Sequence, residues 1–318
     1  MAVVIAFIAN VLVAIAKSIA AAVTGSASLV AEAIHSWADA GNEIFLLIAD
    51  RKATRERDAS HPLGYGRDAY VWSLFAAVGV FTVGAALSVA HGIQELLDPE
   101  PASSYGVAYV VLGVAFVLEG LSLAQSVRQA RREAGERSRD TLEYVVNGSN
   151  TTLRAVVAED AAALAGLAIA ALGILLHQLT GDPMWDAIGS IVIGLLLGVV
   201  ALLLIDRNRR FLVGMSPPAA VRARALERLR SHDQIDRVTD LHLEYVGPGS
   251  LFLVAAVDLS GDDSESSIAR RLRALEQEIE ASPAISRATL TLSVDDEPEL
   301  AEPRTATPSP SPAAPHRD

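Results

Sequence analysis

Residues 32–43 read Glu32-Ala-Ile-His35-Ser-Trp-Ala-Asp39-Ala-Gly-Asn-Glu43, inside an apolar segment long enough to cross a bilayer. His35 and Asp39 are four residues apart, so on a helix their side chains share one face. A carboxylate at membrane depth costs about 3 kcal/mol or more, which makes it a candidate functional group by default. Imidazole and carboxylate on one face supply half the donors of a divalent-metal site. The other half has to come from elsewhere in the chain.

The 318 residues are 51% hydrophobic, and the apolar ones are gathered into long runs, which points to a membrane protein. The net charge of −12 collects in the C-terminal third, and no nucleic-acid partner is expected from it. The chain has no cysteine, which excludes disulfides, thiolate zinc sites and cysteine nucleophiles. The first apolar run lacks a basic start and is long for a signal core, so no cleavable signal peptide is expected.

Six runs pass the length test for a spanning helix: about 2–23, 29–50, 69–92, 106–127, 153–177 and 184–206. The basic residues sit in alternate connections. Arg51, Lys52, Arg55, Arg57 and Arg67 follow the second run, and Arg128, Arg131, Arg132, Arg137 and Arg139 follow the fourth. Arg207, Arg209 and Arg210 end the sixth, whereas loops 24–28, 98–105 and 178–183 contain neither Lys nor Arg. The positive-inside rule then places both termini in the cytoplasm of a multi-pass protein of the cell (inner) membrane.

Beyond the sixth run the pattern changes. Pro217-Pro218 precedes an amphipathic helix over 219–231, and alternation predicts strands at 240–246 and 251–259 about a Gly-Pro-Gly turn. A helix over 264–281 and a strand over 288–294 complete a small αββαβ domain. The expected organisation is a six-helix transmembrane domain (1–210), a cytoplasmic αββαβ dimerisation domain (211–296) and a disordered Pro/Ala/Ser tail (297–318). The fold class is thus an α-helical membrane protein with a small α+β appendage.

The fifth run carries the adjacent carboxylates Glu159 and Asp160. Neighbouring helical positions point about 100° apart, so one is expected to bind directly and the other to support it or carry a proton. Packed against His35 and Asp39, Asp160 gives a nitrogen-and-oxygen set that Zn²⁺ accepts, as do Mn²⁺, Co²⁺ and Fe²⁺.

With these motifs in order, the chain resembles the cation diffusion facilitators, a family of proton-coupled divalent-metal exporters. The resemblance rests on Gly25-Ser26, the 32–42 stretch, His61-Pro-Leu-Gly-Tyr-Gly66, the acidic fifth run and the αββαβ domain, and covers about residues 2–295. Within the family it looks most like the zinc transporter nine branch, which has His-Ser-x-x-Asp in the second span and Glu-Asp in the fifth. The resemblance implies a transport site of His35, Asp39 and Asp160, a homodimer, and alternating access in which protons displace the metal. The metal is cargo, and no cofactor is expected.

Three departures qualify that transfer. Most of the family places His or Asp four residues before the fifth-span aspartate, where this chain has Val156; Glu159 or water would complete the shell. A family site in the loop after the second span would use Asp58 and His61, but its third position is Tyr65, a poor ligand at neutral pH, so a shaped turn is the preferred reading. In the soluble domain His232 and His242 stand alone, with Thr239, Ala256 and 295–297 at the other ligand positions, which argues against a high-affinity two-metal site.

Lys17 is expected to snorkel or to pair with a carboxylate, and Asn42 to serve packing rather than the site. Glu119 and Asp186 read as structural, and His91 and His177 as interfacial. Rival classes are a membrane metallohydrolase, for which no nucleophile cluster is visible, and a dimeric scaffold, which would gain nothing from intramembrane carboxylates.

Overall fold

A computed structural model describes residues 2–55, 57–99, 104–136, 140–261, 263–294 and 296–301. The chain divides into two compact units, a helical one up to Val213 and a mixed one after it.

The helical unit begins with α1 (Ala2–Thr24) and α2 (Ala27–Ala53). The link between them is two residues long. Gly25 has φ +66° and closes α1 through its N–H to the Ala21 carbonyl, while the Ser26 hydroxyl caps α2 by accepting from the Leu29 N–H. Next come α3 (Gly66–Gly79), a π-helical turn (Val80–Ala85) and α4 (Ala86–Leu97), which form one long rod. The unit is completed by α5 (Tyr105–Glu136), a short α6 (Thr141–Asn147), α7 (Thr151–Thr180) and α8 (Met184–Val213).

Several helices outrun their apolar stretch, because Gln, Arg, Ala and Glu continue the helical ladder into water at little cost. α6 has no hydrophobic period to announce it; Asp140 caps it through the Leu142 and Glu143 N–H groups. Gly92 and Gly194 let α4 and α8 approach closely, since a Cβ on either would meet the opposing backbone.

Among the described residues, four helical segments are long and apolar enough to cross a membrane: Gly66–Leu97, Tyr105–Gly135, Thr151–Thr180 and Met184–Val213. The described apolar part of α1 is shorter, Asn10–Thr24. α2 fails on composition because Glu32, Asp39 and Glu43 lower its hydropathy. Leu12, Val110, Leu121, Leu195 and Leu203 are each more than half exposed, an outward apolar surface suited to lipid.

The second unit runs α9 (Ala219–Arg230), β1 (Ile235–Gly247), β2 (Ser250–Leu259), α10 (Glu265–Glu280) and β3 (Ile285–Leu292). The sheet order is β1-β2-β3, with β2 and β3 parallel and Leu253 opposite Ala288. Leu226, Val238, Leu241, Leu253, Val257 and Leu275 are among its core.

β1 starts five residues before the alternation predicts. Its buried positions there, Ile235, Val238 and Leu241, recur every third residue before alternation sets in at Leu241, Leu243 and Tyr245. Residues 297–300, expected in the tail, instead follow the sheet. The Leu300 N–H donates to the Val238 carbonyl, Glu297 accepts from Thr239, and Arg230 pairs with Glu299. Residues 302–318 of that expected tail lie outside the described residues, as does Asp295.

Candidate functional site

The carboxylates of α2 and α7 meet at a cavity of about 350 Å³. Asp39 and Glu43 line it from α2, Val156, Glu159 and Asp160 from α7, Glu119 and Ser122 from α5, and Asn10 from α1. Helical spacing explains the grouping: Asp39 and Glu43 lie one turn apart, as do Val156 and Asp160.

Each acid has its own neighbours. Asp160 accepts from Ser122 Oγ at 2.9 Å and from Ser126 Oγ at 3.5 Å. Glu159 accepts from Asn42 Nδ2 at 3.5 Å, and Glu43 from Asn10 Nδ2 at 3.1 Å. Asn42 therefore reaches a cavity acid instead of serving packing alone. One oxygen of Asp39, Oδ1, is buried with no hydrogen-bond partner among the described residues.

His35 stands behind Asp39, with Nε2 3.4 Å from Asp39 Oδ2. Its side chain is 1% exposed, both ring nitrogens lack a hydrogen-bond partner among the described residues, and it is not a wall residue of the cavity. Among the described residues no three His, Asp or Glu side chains are gathered tightly enough to hold a metal ion together. The structure thus brings Asp39, Glu159 and Asp160 to one cavity, with His35 one layer back. Val156 contributes an apolar patch where most of the family carries a ligand.

Two wall residues escaped the sequence reading. Glu43 lies four residues past Asp39, so the spacing that singled out Asp39 also reaches it. Glu119 was read as structural, yet it faces the cavity; a carboxylate in the middle of the apolar α5 was its signal.

The Asp58–His61 loop is different. Asp58 Oδ1 accepts from the Ser60 hydroxyl, the Ser60 N–H and the His61 N–H, while Oδ2 accepts from Tyr65 Oη at 2.7 Å. His61 stacks on Tyr65 with ring centres 3.8 Å apart, and Arg55 lies over the other ring. These donors, the Ser60 and Tyr65 hydroxyls first, hold the Asp58 carboxyl well below the usual carboxylate range. In the second unit, His232 pairs with Glu278 at 3.2 Å and the more exposed His242 lies 3.8 Å from Glu244.

Asp186 organises the opposite end of α2. Its carboxylate accepts from Ser26 Oγ and from the Ala27 and Ser28 N–H groups, and its carbonyl accepts from Ser28 Oγ. A buried acid at a helix N-terminus satisfies the free N–H groups and complements the helix dipole.

Residues 3–213 match the family model of the cation efflux transmembrane domain. The chain belongs to the cation efflux family, a multi-pass membrane class. It is 38% identical over 233 residues to metal tolerance protein C4 of Arabidopsis thaliana, covering 73% of this chain and 51% of that one. It is 37% identical over 238 residues to the mitochondrial proton-coupled zinc antiporter SLC30A9 of Mus musculus, covering 75% and 42% respectively. The likeness to the zinc transporter nine branch is thereby borne out. The chain spans about half the length of these curated relatives.

Proposed function

We propose that the chain is a proton-coupled exporter of divalent metal cations, zinc foremost, working by alternating access. The observation that carries this reading is the cavity where Asp39, Glu159 and Asp160 converge from two helices within a family of cation efflux proteins. The antiporter named among its relatives supports the choice of zinc and of protons.

In this reading α1 and α2 also cross the membrane, giving six spans with both termini cytoplasmic, and the second unit pairs two copies. Asp39 and Asp160 take the cation from the cytoplasm, Glu159 supports them, and His35 joins as the fourth donor when its ring turns past Asp39. Imidazole gives up the metal as it gains a proton, so protons from the far side release the cargo. Asp58 and His61 are left out of the site, since the donors on Asp58 hold the loop together.

One observation favours a second cargo. The cavity wall offers oxygen donors alone, a set that suits Mn²⁺ or Fe²⁺ as well as Zn²⁺. Uptake into proteoliposomes loaded with a metal-sensitive dye, with and without a pH gradient, tests both. Zn²⁺, Mn²⁺, Co²⁺ and Fe²⁺ would be run beside Asp39→Ala/Asp160→Ala. Gradient-dependent uptake of Zn²⁺ that the variant lacks is expected; no uptake of any metal by folded dimers would overturn the reading and favour a scaffold.

A further inference from the structure

Lys17 and Glu32 form an ion pair outside the ligand set above. Both side chains are fully buried, with Nζ 3.0 Å from Glu32 Oε2 and 4.0 Å from Oε1 of Glu119. Glu119 is a wall residue of the cavity, so the ammonium reaches that wall from behind. The second oxygen of Glu32 has no hydrogen-bond partner among the described residues and fits against Gly166, where any side chain would collide with it. The same helices bury an apolar core that includes Ala20, Ala21, Leu29, Leu167 and Ala170.

A pair like this is a poor way to gain stability, because apolar residues of the same volume often do as well or better. Its placement gives it another use. Arg154, the other buried cation among the described residues, is engaged by the Gly148 carbonyl and Asn208. Of these two, Lys17 is the one that stands beside a cavity acid.

Resting on the transport reading, we propose that Lys17 is a tethered competing cation: its ammonium compensates Glu32 and Glu119 in the unloaded protein, and an arriving divalent cation has to displace it from Glu119. The same like charge weakens cargo binding and hastens release. Removing the charge of such a residue lowers Kd and turnover together, tighter binding with slower release, which damage to packing does not.

The test is Zn²⁺ binding by calorimetry in detergent together with Zn²⁺ uptake by proteoliposomes. For Lys17→Met the Kd and KM are expected to fall about tenfold and kcat to fall about tenfold. Lys17→Arg is expected to keep all three within about threefold of wild type, since the charge is kept. Lys17→Met leaves Glu32 uncompensated, so Lys17→Met/Glu32→Gln is measured alongside and is expected to show the same split.

Unchanged or weaker binding by a folded double variant would overturn the assignment. So would failure of both Met variants to fold, the behaviour of a purely structural pair. A wild-type protein that binds Zn²⁺ but moves none would instead sink the transport reading, and the change in binding would still decide the role of Lys17.

Discussion

Two pairs of His with Asp at helical spacing, His35 with Asp39 and Asp58 with His61, end differently. His61 lies three residues after Asp58, and four donor groups from Ser60, His61 and Tyr65 occupy that carboxylate. His35 lies four residues before Asp39, where an Asp39 oxygen and both imidazole nitrogens are buried without hydrogen-bond partners among the described residues. Residue type and spacing are nearly the same. What separates the pairs is whether the local backbone and hydroxyls have already satisfied the acid. A buried polar atom left unsatisfied costs about 1–3 kcal/mol, which a fold sustains at few positions besides functional ones.

The contrast can be broken most severely at Asp39. Asp39→Asn keeps the size and loses the charge, and uptake of Zn²⁺ is expected to fall about a hundredfold or more, as for a metal ligand. Normal uptake by the folded variant would place the site elsewhere. His35→Ala should be milder, weakening apparent Zn²⁺ affinity about tenfold and flattening the dependence of uptake on pH. Wild-type affinity with a wild-type pH profile would remove His35 from the site.

Asp186→Ala tests the far end of α2. It leaves two backbone N–H groups and the Ser26 hydroxyl without their carboxylate acceptor, at about 2 kcal/mol. Thermal unfolding in detergent should drop by about 5 °C. No change in melting temperature would mean that water replaces the acid.

The loop pair should respond least. Asp58→Ala is expected to leave Zn²⁺ uptake within about twofold of wild type, because the donors it loses can turn to solvent. The Asp58 carboxyl is depressed in the folded state, so whatever it contributes is present above the ordinary carboxylate pKa and lost only as pH falls through the lowered one. An NMR titration should therefore show Asp58 still charged at the usual aspartate pKa and losing its charge only below it. Ordinary titration there would mean that the loop opens.

Much of this was legible in the sequence, for identifiable reasons. Long apolar runs marked the helices, and the αββαβ order followed from alternation and turn residues, although the three-residue spacing at Ile235 and Val238 hid the start of β1. Asp39 and Asp160 stood out because charge in an apolar run is conspicuous. Glu119 was just as conspicuous but could not be assigned, since nothing local indicates which helix its side chain faces. Lys17 had two outcomes open to it, snorkelling or pairing, and only the packing of α1 on α2 chose between them.

The sequence by itself determined the helical class, the family and the carboxylate-bearing helices, because periodicity, hydropathy and short motifs are local properties. Tertiary structure alone decided which acids share a cavity, that His35 sits behind Asp39, and that Lys17 is bound to Glu32. Those are contacts between residues far apart in the chain. They depend on how α1, α2, α5 and α7 are rotated against one another, and a helix period fixes which residues share a face without fixing what that face meets.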